Sequence, residues 1–516
     1  MPDLVKKLML ETHGFWAWFV LFFLLFVHYY YWFFTTAETG QKKEQEYRLP
    51  PSPPALPIIG HLHLVGSLPH VSLASLARDH GPDVMLLRLG VVPTLVVSSP
   101  RAAEAVLRTH DRVLASRPRS MVAHIITCSL DVGFAPYGEY WRKARKLLST
   151  HLLSAKRVQS FRSAATEEVS MVMAKINKAA EEGSTVDMSE LLNSFANDMA
   201  CRIMPGKFFL KEGRSKLFRE LVNDSSLLLG GFNMEDSFPA LARVGILKRA
   251  VCAKAERVRK RWADLLDKVI DDHMDKDMST LNHNDDDFVD ILLSIRQEFD
   301  LTREHMKSIL TGVFLAAIDT SSNTLEFTLA ELMRSSHLMG KLQDEVRSIV
   351  PLGEETFSEI NMNNMTYLRA VIKESLRLHP VAPLLVPHLA LADISGYIVP
   401  TGTHVVINTW AIGRDSASWE DAKEFKPERF IEGGSDVHVN FKGNDFRFLP
   451  FGAGRRMCPG INLGIANVEL MLANLMYHFD WDLPLGVERK DIDMREVFGL
   501  TVRRKEKLLL IPKARM

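Results

Sequence analysis

The sequence predicts a mainly α-helical protein with small β-sheets, preceded by one N-terminal transmembrane helix. Three observations support this fold class: helical periodicity recurs through most of the chain, strand-like runs are few and short, and one long stretch near the N-terminus carries no charge. Apolar residues repeat with helical spacing at residues 102–109, 140–149, 158–178, 191–204, 253–273, 303–335, 338–350 and 367–378.

The predicted strands cluster in two parts of the chain, at residues 85–97 and near residues 385–408. We find no internal repeat, no alternation of strands with helices and no G-x-G-x-x-G motif, which argues against a nucleotide-binding α/β enzyme. The polar run at residues 275–287 is interpreted as an exposed loop. Because no linker-like composition divides residues 58–516, we interpret them as one large domain.

Composition and charge exclude several classes of protein. Hydrophobic residues make up 47% and charged residues 24% of the 516 residues, which rules out a disordered, collagen-like or coiled-coil chain. The 63 basic residues balance the 63 acidic ones, so the global charge indicates neither nucleic acid nor an acidic partner. Four widely spaced cysteines exclude a disulfide framework and a zinc site, and they are typical of a reducing compartment.

The uncharged stretch covers residues 15–34 and predicts a membrane anchor. A helix of this length is about 30 Å long and crosses the hydrocarbon layer, and tryptophan and tyrosine residues lie near its ends. A cleaved signal peptide would have a shorter apolar core, and a buried core helix would carry fewer aromatics, so we interpret residues 1–36 as a retained anchor. Three basic residues follow the span and two precede it, which favours a cytosolic side for the rest.

Residues 37–57 predict a charged and proline-rich hinge. Five prolines lie within residues 50–57, which excludes a helix and favours extended polyproline geometry. A stiff segment directly after an anchor would set the orientation of the domain at residues 58–516 relative to the membrane.

One cysteine, Cys458, differs from the others in its surroundings. It lies in the glycine-rich turn F-G-A-G-R-R-M-C-P-G at residues 451–460, and helical periodicity resumes directly after it. Backbone N–H groups and the partial positive charge of a helix N-terminus stabilise a thiolate. A thiolate among such donors suits axial ligation of haem iron, and the glycines allow a flat macrocycle to approach the backbone closely.

The pattern F-x-x-G-x-R-x-C-x-G at residues 451–460 resembles the haem-binding signature of the cytochrome P450 superfamily. The resemblance implies the cytochrome P450 fold, haem b as the cofactor and Cys458 as the ligand of its iron. It also implies that Phe451, Gly452 and Gly460 lie against the cofactor. Three further motifs, in the expected order along the chain, support the resemblance.

The first motif joins a helical pair to a downstream arginine. Glu374 and Arg377 are three residues apart and therefore share one face of a helix. Alone, such pairs are mostly exposed and contribute about 0–1 kcal/mol. Arg429 follows in the segment P-E-R-F, and the resemblance implies that the three side chains form a buried network that supports the cysteine loop.

The second motif is A-A-I-D-T-S at residues 316–321, inside the long apolar helix. It is similar to the family pattern [AG]-G-x-[DE]-T-[TS], with Ala317 where glycine is commonest. Ala316 and Ala317 leave room beside the helix, and Thr320 can bond a carbonyl one turn earlier, a distortion that would make a groove for O₂ and water. The resemblance implies a proton relay through Asp319 and Thr320, whereas the motif alone also fits an ordinary buried Thr and an exposed Asp.

The third motif places Trp141 and Arg145 four residues apart, on one helix face. The resemblance implies that both contact a haem propionate, together with His388 and Arg456, because arginine binds carboxylates in a bidentate manner. Other faces of the same helix form a basic surface, made by Arg142, Lys143 and Lys146. This basic surface is either a docking surface for an acidic electron donor or a merely solvated face.

Within the superfamily the chain is similar to plant microsomal enzymes of the A-type. The proline hinge, the run A-P-Y-G-E-Y-W-R at residues 135–142 and the run F-G-A-G-R-R carry this similarity. Residues 191–209 and 232–273 resemble grass enzymes that oxygenate indole and indolinones in benzoxazinoid biosynthesis. The resemblance implies attachment to the endoplasmic reticulum membrane by a single anchor, contact with membrane lipid, and a cytosolic catalytic domain.

The implied reaction is insertion of one oxygen atom from O₂ into a small apolar substrate. Electrons would come from NADPH through NADPH–cytochrome P450 reductase, with cytochrome b5 as a further partner, because the chain has no flavin or nicotinamide motif. One alternative is a reductase-independent haem-thiolate isomerase or dehydratase, a class that often lacks the Asp–Thr pair. Another is a non-catalytic haem-binding protein, and among monooxygenases the substrate could instead be a terpenoid, a phenolic compound or a xenobiotic such as a herbicide.

The resemblance places a substrate pocket at residues 120–127, 232–238, 309–317, 381–386 and 498–501. Apolar side chains in these segments are Ala316, Ala317, Val381, Leu384, Leu385 and Phe498. A small aromatic or terpenoid-like substrate fits such a lining, although several of these residues equally suit an ordinary core. Residues 389–395 are shorter than is usual in relatives, which would reshape the turn beside the pocket.

Overall fold

The computed structural model describes residues 21, 23–25, 27, 28, 49–206, 215–230, 234–239, 245–275, 286–350, 353, 357, 359–390 and 399–515. Helices dominate this part of the chain. In chain order they are α1 (Pro69–His80), α2 (Pro100–Glu104), α3 (Asp111–Leu114), α4 (Met121–Thr127), α5 (Glu139–Leu147), α6 (Ala155–Ser160), α7 (Arg162–Glu181), α8 (Met188–Ile203), α9 (Ser215–Leu229), α10 (Met234–Ser237), α11 (Gly245–Met274), α12 (Phe288–Ser294), α13 (Arg303–Arg334), α14 (Ser336–Ile349), α15 (Glu359–Asn364), α16 (Thr366–Leu378), α17 (Thr409–Ile412) and α18 (Ile461–His478).

The strands form small sheets. They are β1 (Val84–Leu89), β2 (Val92–Val97), β3 (Val186–Asp187), β4 (His388–Leu389), β5 (His404–Ile407), β6 (Phe479–Asp482), β7 (Glu496–Val497), β8 (Arg503–Arg504) and β9 (Leu509–Ala514). The main sheet has the order β1-β2-β5-β4, in which β5 runs parallel to β2 and the other pairs are antiparallel. A second sheet has the order β3-β9-β6, and β7 pairs with β8. The predicted class, mainly helical with small sheets, is confirmed.

Two predictions about individual elements need correction. The helix predicted at residues 158–178 is divided at Phe161, which lies between α6 and α7. The prediction that strands cluster in two parts of the chain was wrong, because β6 to β9 lie near the C-terminus. Strand β9 pairs with the distant β3 and with β6, and β7 and β8 are only two residues each, so their local sequence pattern is weak.

Helix α13 passes through the middle of the domain and carries the second motif. It begins with a reciprocal cap, in which Thr302 and His305 each accept a hydrogen bond from the other's backbone N–H. It packs against α8, α9, α16 and α18. Most of its side chains between Met306 and Met333 are buried, which is typical of a helix in the core of a large domain.

The predicted anchor lies mostly outside the described residues. Within residues 15–34 the structure describes 21, 23–25, 27 and 28, all of them helical. Among the helices of the described part of the chain, none combines the length and the apolar character that crossing a bilayer requires. Of the loop predicted at 275–287 the structure describes residues 275, 286 and 287. Of the shortened turn predicted at 389–395 it describes residues 389 and 390.

Candidate active site

Cys458 lies in the loop before α18, as predicted. Gly454 has a φ of 67°, and a Cβ at this position would lie 2.3 Å from the carbonyl oxygen of Leu107, so the turn requires glycine. The N–H of Cys458 donates to the carbonyl of Phe451 at 2.9 Å and closes the loop. The backbone N–H of Gly460 donates to the Cys458 sulfur, which confirms a backbone donor at the thiol.

Two opposing effects act on the Cys458 thiol. Burial raises its pKa, because a thiolate is poorly solvated inside the protein. The Gly460 N–H and the positive charge of Arg145 act in the opposite direction and favour the thiolate.

Gly452 also adopts a positive φ, of 66°, and lies beside Leu385.

Arg456 is half-buried and lies next to Trp141. Its guanidinium donates to the carbonyls of Ala115 at 2.6 Å, Val132 at 3.1 Å and Ala135 at 2.6 Å. It stacks on the indole ring of Trp141, with the guanidinium carbon 4.3 Å from the ring centre. Burial lowers the pKa of Arg456 to about 10, so this cation is poorly compensated.

Arg117 is a buried arginine of the same region that no sequence motif indicated. It donates to the carbonyl of Gly133 at 3.0 Å and to the carbonyls of residues 386–387 at 2.6 and 3.0 Å. Burial and the positive charge of Arg456 hold its pKa well below the usual range, while Asp131 acts in the opposite direction. Its partners lie up to 270 positions away in the sequence, so no local pattern marks Arg117 as special.

His388 is buried at the start of β4. Its Nδ1 lies 2.8 Å from the carbonyl oxygen of Leu114, so Nδ1 carries the proton and donates. Burial, and then the charge of Arg117, lower the pKa of His388 to about 3. The imidazole is therefore neutral, and its Nε2 is an acceptor.

We call Arg117, Arg145 and Arg456 the guanidinium cluster. Among the described residues, Asp131 is the buried carboxyl whose charge acts on Arg117 and Arg456, and burial raises its own pKa. Burial also lowers the pKa of Arg145. Buried cations without matching anions are unfavourable, so the cluster suits an anionic ligand. Beside a cysteine with a backbone donor, the residues fit a haem, with the sulfur for its iron and the arginines for its propionates.

The side chains of Asp319 and Thr320 on α13, predicted as a proton relay, point in different directions. The Thr320 hydroxyl donates to the carbonyl of Ala316 at 2.6 Å, which confirms the predicted bond one turn earlier. The helix stays continuous there, so the expected distortion does not break it. Asp319 accepts a hydrogen bond from Ser226 of α9 at 2.9 Å, and burial raises its pKa. Ala317 is half-buried, and Ala316 is exposed to open space beside the helix.

The predicted three-residue network is present and fully buried. Arg377 donates to both carboxylate oxygens of Glu374 at 2.7 Å, and Arg429 donates to one of them at 3.2 Å. Both arginines lie over the ring of Trp419, which also contacts Phe448 just before the cysteine loop. The network is therefore connected to the cysteine loop through packed aromatic rings.

A cavity of about 200 Å³ lies above the main sheet, and we call it the sheet cavity. Its described lining comprises Leu89, Val92, Thr94, Arg117 to Ser120, Phe134, Leu229, Gly230, Asp236, Ser237, Ala382 to Pro387, His404, Val406 and Phe498 to Leu500. The predicted pocket residues Leu384, Leu385 and Phe498 belong to this lining. Val381, Ala316 and Ala317 do not, and the backbone carbonyl of Val381 instead accepts from the N–H of Val502.

A larger cavity of about 1110 Å³ opens on the other side of the cysteine loop, lined in part by Arg145, Met457 and Cys458. The basic surface lies on the adjoining helix α5, where Arg142, Lys143 and Lys146 are all exposed. Lys143 forms an exposed ion pair with Glu139 at 3.1 Å, which is one helical turn away.

The fold and the site agree with one protein family. A sequence profile described as cytochrome P450 matches residues 50–511, and the chain belongs to that family. A solved zebra fish cytochrome P450 with progesterone superposes with a TM-score of 0.73 at 25% identity, covering 86% of this chain and 99% of that one. The chain is therefore a monooxygenase of the class that carries haem with a cysteine thiolate as axial ligand. Electron supply from NADPH through a partner reductase is typical of this family.

Three relatives from one plant species are similar to this chain over most of its length. An indole-2-monooxygenase of Zea mays is 56% identical, covering 90% of this chain and 87% of the relative. A 3-hydroxyindolin-2-one monooxygenase and an indolin-2-one monooxygenase of the same species are 52% and 50% identical, covering 91% and 92% of this chain and 90% of each relative. The predicted resemblance to grass indole and indolinone oxygenases is confirmed.

Proposed function

We propose that this chain is a haem-thiolate monooxygenase that inserts one oxygen atom from O₂ into a small, apolar, indole-derived substrate. The observation that carries the proposal is the position of Cys458 beside the guanidinium cluster. Cys458 offers the sulfur ligand, and the cluster offers buried cations for a dianionic cofactor. These are the two kinds of contact that a haem requires.

The propionates of a bound haem would be held mainly by Arg145 and Arg456. The ring of Trp141 keeps the Arg456 guanidinium in one plane, whereas the Trp141 N–H is already used by the carbonyl of Val132. His388 can contact a propionate through Nε2 only after it takes up a second proton, because Leu114 accepts the Nδ1 proton. Phe451, Gly452 and Gly460 form the surface of the cysteine loop.

Asp319 and Thr320 hold protons at different atoms. Thr320 donates to the carbonyl of Ala316, so its oxygen lone pairs remain able to accept a hydrogen bond from water. Asp319 faces α9, and its raised pKa favours the protonated form more than in a free carboxyl group. Protons therefore reach the site from the α9 side. A bound haem would supply the chemistry that activates O₂, from which the inserted oxygen atom comes.

The substrate is a small bicyclic aromatic compound. The relatives act on indole, indolin-2-one and 3-hydroxyindolin-2-one by their names, and the sheet cavity, at about 200 Å³, suits compounds of that size. Larger terpenoids fit this volume poorly, whereas phenolic and xenobiotic substrates of similar size remain alternatives. Leu384, Leu385 and Phe498 supply apolar contacts.

Electrons arrive from NADPH through a reductase that docks on the basic surface of α5. Its exposed positive charges complement an acidic partner and would speed association. Residues 1–36 anchor the chain in the endoplasmic reticulum membrane, with residues 37–57 as the hinge and residues 58–516 on the cytosolic side. A reductase-independent isomerase or dehydratase is the second candidate, and the intact Asp319–Thr320 pair disfavours it.

The decisive test is the Cys458→Ala variant of the full chain in microsomes. We expect loss of the carbon-monoxide difference band typical of thiolate-ligated haem, together with loss of NADPH- and O₂-dependent turnover of indole with added reductase. Cys128→Ala is the matched control, because Cys128 is a half-buried cysteine in another part of the domain. An unchanged band in Cys458→Ala would contradict the proposal. Turnover without NADPH or O₂ would favour the isomerase class.

A further inference from the structure

One polar side chain of the sheet cavity has no part in the function proposed above. His404 begins β5 and is paired in register with Thr94 of β2, so both side chains lie on the same face of the sheet. Val92 and Val406 continue this face, and all four residues line the cavity. The sheet thus presents one imidazole on an otherwise mostly apolar floor.

Several other polar groups of the cavity already have partners. Arg117 donates to three carbonyls. The Ser120 hydroxyl accepts from the N–H of Ala123, and the Asp236 carboxylate accepts from the N–H of Met121 at 3.3 Å. Both bonds fix the start of α4.

His404 differs from these groups. Within the described ranges its ring makes no hydrogen bond with the protein. Arg119 also lacks a partner there, but its side chain is exposed at the rim, where water satisfies it. Burial lowers the pKa of His404, so the ring is neutral at pH 7 and offers one N–H donor and one nitrogen acceptor.

The cavity around His404 favours one kind of ligand. Its remaining walls include Leu229, Leu384, Val386, Phe498 and Leu500, so a polar ligand atom that enters loses its water. In protein interiors a cavity of about 150 Å³ binds benzene. The sheet cavity, at about 200 Å³, therefore admits a second fused ring and little more.

We infer that His404 hydrogen-bonds the ring N–H or carbonyl of a small, neutral, bicyclic nitrogen heterocycle and thereby determines substrate specificity. This inference rests on the proposed function and names the group that recognises the polar edge of the substrate. A site built to hydrogen-bond a ligand discriminates against an isostere that lacks the polar atoms, because the buried protein group is then unpaired.

The test compares ligands with and without the polar atoms on the haem-loaded full chain. The probes are indolin-2-one and indene, which has the same fused rings but neither N–H nor carbonyl. Binding is measured as the ligand-induced shift of the haem absorbance. We expect His404→Leu to weaken indolin-2-one binding about tenfold and leave indene binding within about twofold. His404→Gln, which keeps a donor and an acceptor, should recover most of the affinity. His63→Leu, at an exposed position, is the matched control.

The possible outcomes distinguish the role of His404 from the proposed monooxygenase function. An equal loss of both ligands in His404→Leu, or an unchanged ratio of their affinities, would overturn the role of His404. If the wild-type protein shows thiolate-ligated haem but binds neither ligand, both the indolic substrate class and the role of His404 are wrong, while the monooxygenase assignment holds. Absence of thiolate-ligated haem in the wild-type protein would instead overturn the proposed function itself.

Discussion

Two buried charge clusters of this domain differ in how completely their charges are paired. In the network of Glu374, Arg377 and Arg429, one carboxylate receives both arginines, and the arginines also donate to backbone carbonyls. In the guanidinium cluster, the described surroundings supply mostly neutral carbonyls and the single carboxyl of Asp131. Both arginines of the first cluster contact a carboxylate directly, whereas no carboxylate of the described residues contacts the arginines of the second cluster, which therefore suits an anionic ligand.

This difference separates a structural role from a binding role. Removing one partner of a complete buried ion pair leaves an uncompensated charge and destabilises strongly. Removing one cation from an unbalanced cluster relieves repulsion in the ligand-free protein and weakens the binding of an anion. The following variants test this contrast, from the largest expected effect to the smallest.

Glu374→Gln should have the largest effect. The variant leaves Arg377 and Arg429 buried without their shared carboxylate, and we expect the free energy of unfolding to fall by about 3–5 kcal/mol. Thermal or denaturant unfolding of the loaded protein measures the loss. Glu182→Gln is the control, because the ion pair of Glu182 with Lys178 is exposed and 3.9 Å long. A small effect at Glu374 would show that the network is not structural.

Arg145→Leu should separate stability from cofactor binding. We expect haem affinity to fall about 10- to 100-fold, the usual size of a lost charged hydrogen bond, while the haem-free protein keeps or gains stability. Haem titration of the haem-free protein and its thermal unfolding give the two values. Arg142→Leu, on the exposed face of the same helix, should change neither. If Arg145→Leu lowered stability as much as haem affinity, Arg145 would have a structural role and not a binding role.

His388→Gln tests the neutral neighbour of the cluster through pH. In the haem-free protein the pKa of His388 is about 3, against 6.5 for an unperturbed histidine. Between these values the unfolded chain binds the extra proton, so stability is full above pH 6.5 and falls as the pH drops towards 3. Replacing His388 should make the fall in the free energy of unfolding with decreasing pH shallower by up to about 1.4 kcal/mol per pH unit. Denaturant unfolding at several pH values measures it, with exposed His63→Gln as the control. Identical slopes would contradict burial of a neutral His388.

Short-range features of the site were predictable from the sequence. Glu374 and Arg377 share a helix face because they are three residues apart, and the Thr320 hydroxyl reaches the Ala316 carbonyl because they are four apart. The position of Cys458 before a helix followed from glycines and periodicity. Each of these relations is determined within about two helical turns.

Long-range features were not predictable. The C-terminal strands depend on partners far away in the sequence, so their local pattern did not reveal them. The sequence around Arg117 carried no signal, since its carbonyl partners come from other segments of the chain. The direction of Asp319 towards Ser226 likewise depends on how α9 packs against α13.

The sequence by itself determined the family, the fold class, the loop that carries Cys458 and the residues that form the buried network. Local spacing and glycine-dependent turns act over a few residues, and they survive any tertiary arrangement. Only the tertiary structure decided which charges contact a partner, which histidine is neutral and which, like His404, lines the sheet cavity without a hydrogen-bond partner among the described residues. Burial and pairing are collective, because each depends on side chains brought together from the whole chain.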